Sequence, residues 1–379
     1  MKTSISIIIL LILTCCASTS NSRLTNFYFD ESPNKISKSL LKSISASSQK
    51  YDLTIFYTSD DSRKIDNFLE GIKGAYFFQK SIGKNKKSIK FSKIIKNKNF
   101  CKSIKSLAGK KIIVHSEKLD SSSKKCLSKL NSDYYLVSLG EYQDLSGVTL
   151  INLKNQNYLS QLISYESFNL SNFIFISKDI SELEKFNKNT EIGDKKISED
   201  SFALIDGLKN FENQIASLFE LSLSQKRKRD LQKEIGDEIR ITPRARKDIS
   251  SVIVSSSSDI ANRIVPAFKY NLLFDIDIFN LPNHFDYWNP TSSVDDLNGT
   301  QGLEYPILLN KINLGSAKFK NYSSEEKIIY ALGFDLINYI SRGNGYFGLL
   351  GEYSSEENQI KIKPLKVSFK DGKISQKLN

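Results

Sequence analysis

The run from Ser224 to Val254, SQKRKRDLQKEIGDEIRITPRARKDISSVIV, concentrates the side chains best suited to gripping another group. Only nine of the 54 basic residues are arginine, yet Arg227, Arg229, Arg240, Arg244 and Arg246 all fall here. A guanidinium offers a planar fork of donors that matches a carboxylate or phosphate edge, whereas a lysine ammonium is a point charge. The clustering therefore indicates specific partners, with a solvated helix face and ordinary ion pairs as the alternative. Arg244 and Arg246, in a turn after Pro243, are expected to anchor that turn on carboxylates or carbonyls of their own lobe. Arg227 and Arg229, on the preceding helix, are the candidates for contact with a partner. Other chemistry finds few residues. The two histidines, His115 at a strand end and His284 in a turn, have no cysteine or carboxylate at ligand spacing. Ser116 follows His115, but a nucleophile needs a base held by a third group, and there is no Gly-x-Ser-x-Gly turn. No dinucleotide-binding or phosphate-binding glycine loop occurs either. The expectation is a protein with no catalytic residue, no cofactor and no metal.

Short apolar runs alternating with helical patterns must carry these residues. The runs are LTIFYT (53–58), KKIIVHS (110–116), DYYLVSL (133–139), VTLINL (148–153), FIFIS (173–177), SVIVS (251–255) and LFDIDIFNL (273–281). Strands alternating with helices predict parallel sheets in an α/β fold. In DSRKIDNFLEGIKGAYFFQK, Ile65, Phe68, Leu69, Ile72 and Tyr76 share a helical face, and Gly71 and Gly74 would let it lie close on a sheet. A helix is expected from Phe202 through Leu223, a short one over DIANRIVPAFKYN, and an amphipathic one over 325–343 ended by Gly343. The C-terminal segment reads as two or three antiparallel strands with an Asp371-Gly372 turn. Several strands stop on hydroxyls: Thr58 and Ser59, Ser116, Ser138, Ser177 and Ser255. Each hydroxyl either caps the next helix or lines a ligand cleft, since open α/β sheets bind ligands at the carboxyl ends of their strands. Thr58, Ser59, Ser116, Ser177 and Ser255 are the candidate cleft-lining residues.

The N-terminus, MKTSISIIILLILTCCASTSNS, has a basic start and an apolar run too short for the ~20 residues that span a bilayer. Its close, LTCC, resembles the lipobox of bacterial lipoproteins, which implies lipid attachment at Cys16, with Cys15 the alternative. Ala17, where an Asp would favour inner-membrane retention, points to the outer membrane. The acyl chains would make a durable anchor, and the Ser-, Asn- and Lys-rich residues up to 50 read as a tether with one short helix near 36–44. The net charge of +12 comes from scattered lysines without aromatic interleaving, so nucleic acid is not the expected partner. Cys101 and Cys126 remain after processing. An oxidising compartment permits a disulfide between them, and two separately buried thiols are the alternative.

SQKRKRDLQKEIG, PRARKDISSVIV and DIANRIVP together resemble the corresponding run of the penicillin-binding protein activator family, outer-membrane lipoproteins of the LppC/LpoA type. FLEGIKGAYF, DLNGTQGLEYP, YALGFDLI, and GLLGEYS followed by IKIKPLKVSFKDGKI match in order, covering most of residues 51–375. The resemblance implies a type I periplasmic binding protein-like fold, with two Rossmann-like lobes around a cleft. The expected division is a signal peptide over 1–15, a tether over 16–50, and the two-lobed domain over 51–379. Lobe 1 would hold about 51–168 and 298–345, lobe 2 about 172–297, with strands 346–375 near the hinge or lobe 2. The implied function is non-enzymatic activation of a class A penicillin-binding protein, with the chain lipid-anchored in the outer membrane. The additional N-terminal helical-repeat domain of better-studied members has only the short tether in its place here. The alternative is a solute-binding lipoprotein of an ABC transporter, closing on an amino acid or similar small ligand.

Overall fold

A computed structural model of the chain describes residues 27–29, 35–58, 63–84, 87–94, 110–116, 119–130, 134–140, 148–153, 158–163, 172–178, 180, 191–192, 195–196, 201–207, 209–236, 244–255, 258–282, 294–310, 312–314 and 319–376. The first half runs β1 (Phe27–Phe29), α1 (Lys35–Ala46), β2 (Leu53–Thr58), α2 (Arg63–Ser81), β3 (Ile89–Ile94), β4 (Lys110–His115) and α3 (Ser121–Leu127). Then come β5 (Tyr134–Ser138), β6 (Thr149–Asn152), α4 (Tyr158–Ile163), β7 (Phe173–Ser177), β8 (Glu191–Ile192), β9 (Lys195–Lys196) and β10 (Phe202–Leu204). The basic region holds α5 (Phe211–Leu218), α6 (Leu221–Ile235), β11 (Ser251–Ser255), α7 (Ser258–Tyr270) and β12 (Asp277–Asn280). Next are β13 (Gln301–Glu304), α8 (Pro306–Leu309), β14 (Ile312–Leu314), α9 (Ser324–Arg342) and β15 (Tyr346–Gly348). The chain closes with β16 (Gly351–Glu356), β17 (Gln359–Lys363), β18 (Leu365–Lys370) and β19 (Lys373–Gln376).

Two units result: Met1–Gln156 with Asn310–Lys363, and Asn157–Leu309 with Pro364–Asn379. The first holds an eight-stranded sheet ordered β15-β16-β17-β6-β5-β4-β2-β3, in which β6, β5, β4, β2 and β3 run parallel. Its central strands are largely apolar because both faces are covered. On one face Phe56, Ile113, Leu136 and Leu150 lie in register and pack with Leu119, Cys126 and Leu127 around α3. Helices α2 and α9 pack together, and glycines set their separation. A Cβ on Gly71 would stand 2.0 Å from the Tyr330 carbonyl oxygen, and one on Gly333 2.1 Å from that of Phe68. Gly71 and Gly74 thus serve a helix contact, where the sequence suggests a sheet. Helix α9 starts with a capping box of Ser323 and Glu326 and stops at Gly343, whose φ of 83° favours a residue without a Cβ.

The second unit holds a seven-stranded sheet, β10-β7-β11-β12-β13-β18-β19, parallel through β13. One face carries Phe173, Phe175, Ile253, Phe279 and Leu303 with Leu162 of α4. Below α5, Phe219 meets Phe268 of α7 edge to face at 5.4 Å. The overall class is α/β with two parallel-dominated sheets.

Four local features differ from the sequence expectations. Residues 35–50 of the expected tether pack on the first unit: Leu40 and Ile44 are fully buried, and the Lys50 N–H donates to Ser341 Oγ at 3.2 Å. Phe202–Leu204 is a strand, because the edge of β7 offers its backbone a partner that an isolated helical turn would lack. The strand expected over 273–281 begins only at Asp277, where pairing with Ser251 starts. Ahead of it, Leu272 takes a left-handed φ of 57° and closes α7. The C-terminal strands divide at Pro364: β15, β16 and β17 extend the first sheet, while β18 and β19, joined through Asp371 and Gly372, extend the second.

Candidate functional site

In the second unit, α5 ends at Phe219 and Glu220 adopts a left-handed φ of 56°, so α6 restarts on a new heading. Pro243 lies outside the described residues, as does Arg240. The returning chain is tied to the helix: the Arg244 N–H donates to Ser224 Oγ at 2.9 Å, and the Arg246 N–H to the Phe219 carbonyl at 3.2 Å. The Arg246 guanidinium forks onto Asp248, with Nε to Oδ1 at 2.8 Å and Nη2 to Oδ2. That bond holds the Asp248 carboxyl below the usual carboxylate range. Ile249 is then buried, and β11 follows. Arg246 grips this turn through its side chain, and Arg244 through its backbone, its side chain being exposed. Arg227 and Arg229 point to solvent from α6.

The carboxyl edges of both sheets are polar. In the first unit Thr58, His115, Ser138 and Asn152 end adjacent strands, and each is at most 3% exposed. His115 pairs in register with Ser138, and Ser138 with Asn152. Ser116 is half-buried, and among the described residues its Oγ has no hydrogen-bond partner. Ser59 and His284 lie outside the described residues. In the second unit Ser177 pairs with Ser255, the former buried and the latter half-buried. At the end of β13, Glu304 is buried and accepts the Tyr305 N–H at 3.0 Å. The Tyr305 and Tyr158 hydroxyls hydrogen-bond each other, and burial pushes both phenols well above their ordinary value. Asn280 donates through Nδ2 to Thr300 Oγ1 at 3.0 Å, leaving its Oδ1 unpartnered. Such an edge can hydrogen-bond a polar ligand. Sequence reading missed Tyr158, Asn280, Glu304 and Tyr305, although the last two sit within DLNGTQGLEYP.

Among the described residues, Asp335 in the first unit is a buried carboxylate with four hydrogen-bond donors. Its oxygens accept the Leu349 and Leu350 N–H groups at 2.8 and 2.9 Å and the Tyr346 and Tyr353 hydroxyls at 3.1 and 3.0 Å. Burial pushes its carboxyl up to about 7, and the four donors pull it back only in part. A Cβ on Gly348 would reach within 2.4 Å of the carboxylate. The signal available in the sequence was an acid set in the apolar face of YALGFDLI.

Cys126 is disulfide-bonded, while Cys101, Cys15 and Cys16 lie outside the described residues. With Cys101 as the proposed partner, reduction of the mature protein should add one hydrogen pair to its mass. Cys126→Ser should cost about 2–4 kcal/mol of stability; an unchanged mass on reduction would contradict the pairing. Among the described residues no helix is long and apolar enough to cross a membrane.

Residues 190–345 match the family described as "LppC putative lipoprotein", a span containing the arginine run, DLNGTQGLEYP and YALGFDLI. No curated protein matches the chain. The C-domain of LpoA from Haemophilus influenzae, a regulator of PBP1A, is similar at a TM-score of 0.55 and 11% identity, over 86% of this chain and 100% of that one. Full-length LpoA from the same organism is similar at 0.53 and 10% identity, over 89% of this chain but 61% of that one, so the chain spans about three fifths of it. A "putative branched-chain amino acid ABC transporter" from Chromobacterium violaceum is similar at 0.51 and 12% identity, over 83% of this chain and 98% of that one. Over residues 190–345 the chain is similar to the LppC family, and its fold is the periplasmic-binding-protein-like fold also found in the LpoA C-domain.

Proposed function

We propose that this chain is a non-catalytic lipoprotein that binds a class A penicillin-binding protein and raises its peptidoglycan synthesis. The observation carrying this reading is the LppC match over residues 190–345 on a body that spans the whole LpoA C-domain. Lipid on Cys16, with Cys15 the alternative, would hold the chain in the outer membrane facing the periplasm. Thr58 and Ser116 in the first unit, and Ser177 and Ser255 in the second, would stand at strand ends that need hold no solute.

A second reading, a solute-binding lipoprotein serving a transporter, is favoured by the similarity to the Chromobacterium protein and by the polar carboxyl edges. Thermal unfolding with and without free amino acids separates the two. A transport receptor gains RT ln(1 + [L]/Kd), about 2.7 kcal/mol at a hundredfold excess over Kd. The expected result is an unchanged melting temperature with every amino acid, together with co-purification of a penicillin-labelled class A synthase from detergent extracts. A rise of several degrees with one amino acid, and no labelled synthase retained, would favour the transporter reading.

A further inference from the structure

The amino edge of the first sheet, opposite its buried polar carboxyl edge, is ringed by cations. β2 begins there at Leu53, in register with Ile89 of β3 on one side and Lys110 of β4 on the other. The Asp52 carboxylate accepts the Ser88 N–H and hydroxyl, both at 2.9 Å. The Gln49 amide donates to the Tyr51 and Ser88 carbonyls at 2.9 and 3.3 Å. These bonds join the segments before β2 and β3 into one surface. The Ser88 bonds, with Lys87 and Lys90 close by, hold the Asp52 carboxyl below the usual carboxylate range. The Lys110 ammonium lies 5.8 Å from the centre of the exposed Tyr51 ring. Lys84 Nζ donates to the Ser45 carbonyl and Arg342 Nη1 to that of Ser43 at 3.0 Å, so both flank Lys50, whose N–H is bonded to Ser341. Lys50, Lys84, Lys87, Lys90 and Arg342 are exposed and Lys110 is half-buried. These six cations surround one carboxylate already engaged by Ser88. Glu356 and Glu357 stand at the same edge but in the turn before β17, four strands from β2 and about 19 Å away.

We infer that this amino edge binds the carboxylate-bearing peptide stems of the cell-wall polymer. The inference rests on the regulator reading above, which sets the chain beside that polymer; the charge of the surface stands apart from it. Six cations less one carboxylate leave a concentrated positive field that draws a polyanion. Lysine dominates the patch. An ammonium is a point charge on a flexible stem with no preferred plane, which suits carboxylates spaced along a mobile chain better than a single fixed acid. A lipid surface fits less well because of where the N-terminal strand joins the unit. β1 pairs with β14, and β14 leads to Phe319, whose ring meets that of Tyr330 in the first turns of α9 at 5.0 Å. Ser341, Arg342 and the patch are at the other end of this 19-residue helix, about 28 Å along its axis. Lipid at Cys16 would therefore join the unit at the end away from the cations, which would face away from the bilayer.

The test is co-sedimentation of the full lipidated chain, held in neutral-detergent micelles, with purified peptidoglycan sacculi. Wild type should pellet with them, and should stay in solution once their carboxylates have been converted to amides. Lys50→Glu with Lys87→Glu and Lys90→Glu should weaken binding about tenfold or more, and the milder Lys50→Gln with Lys87→Gln and Lys90→Gln should weaken it in the same direction. Melting temperatures should not move, since all three side chains are exposed. Lys233→Glu with Lys269→Glu and Lys373→Glu changes the net charge equally on exposed positions of the second unit and should leave binding intact. Patch variants that bind as wild type does, or equal binding to amidated sacculi, would overturn the inference. Displacement of the chain from sacculi by phosphatidylglycerol added to the micelles would overturn it in favour of lipid headgroups. A wild-type chain that ignores sacculi yet speeds the synthase would bring down the patch and leave the regulator reading standing; one that binds sacculi through these lysines but leaves the synthase rate unchanged would do the reverse.

Discussion

Asp335→Ala is expected to destabilise the protein by about 4 kcal/mol, because two buried backbone N–H groups, of Leu349 and Leu350, lose their acceptor and a small cavity opens. Asp335→Asn keeps the volume but turns an amide nitrogen toward one of those N–H groups, so about 2 kcal/mol should be lost. Both follow from urea unfolding midpoints. The pH dependence supplies a separate check. Burial lifts the carboxyl from 3.8 to about 7, so the folded protein holds a proton that the unfolded chain has released. This contribution is complete below 3.8 and is lost as pH rises through about 7. Wild-type stability should therefore slope downward across that window, and the slope should be absent from Asp335→Asn. Variants as stable as wild type, or a slope that survives the substitution, would contradict the role given to this carboxylate.

Gly333→Ala and Gly71→Ala should each cost about 3 kcal/mol, against the usual gain of up to about 1 kcal/mol for alanine over glycine inside a helix. The new Cβ would lie 2.1 Å from the Phe68 carbonyl oxygen in one case and 2.0 Å from that of Tyr330 in the other. Backbone cannot move aside as a side chain does, so α2 and α9 must separate and lose packing along their length. Gly207→Ala is the control, since its Cβ meets only the Ile260 side chain at 3.5 Å and should change stability by no more than about 0.5 kcal/mol. Thermal melts of the three variants decide it: equal melting temperatures would mean that the helix contact tolerates a methyl group and is not set by glycine.

What could be read from the residues depended on how local the determining interaction was. LTIFYT, FIFIS and SVIVS announced themselves because strands buried on both faces are apolar throughout. β3, IKFSKI, did not, because at the sheet edge its lysines and Phe91 face water and the pattern is diluted. Phe202 and Leu204 continue the spacing of the helix after them, and only pairing with β7 makes them a strand. The two ties of the arginine turn are similarly divided: Asp248 is two residues from Arg246 and easily foreseen, whereas Ser224 is twenty residues from Arg244. The Tyr158 and Tyr305 hydroxyls meet across 147 positions, and no spacing rule connects them. Asp335 lay between, visible as an acid in an apolar helix face, with its four donors supplied by a hairpin that begins after Gly343.

As a proposed regulator, this chain should alter the rate of another enzyme without performing chemistry itself. The direct measurement is glycan polymerisation from lipid-linked precursor by a purified class A penicillin-binding protein, followed with and without the full lipidated chain. A rate several-fold higher with the chain present and no product from the chain alone are the predicted results. An unchanged rate at saturating chain, or precursor consumed by the chain alone, would contradict the account.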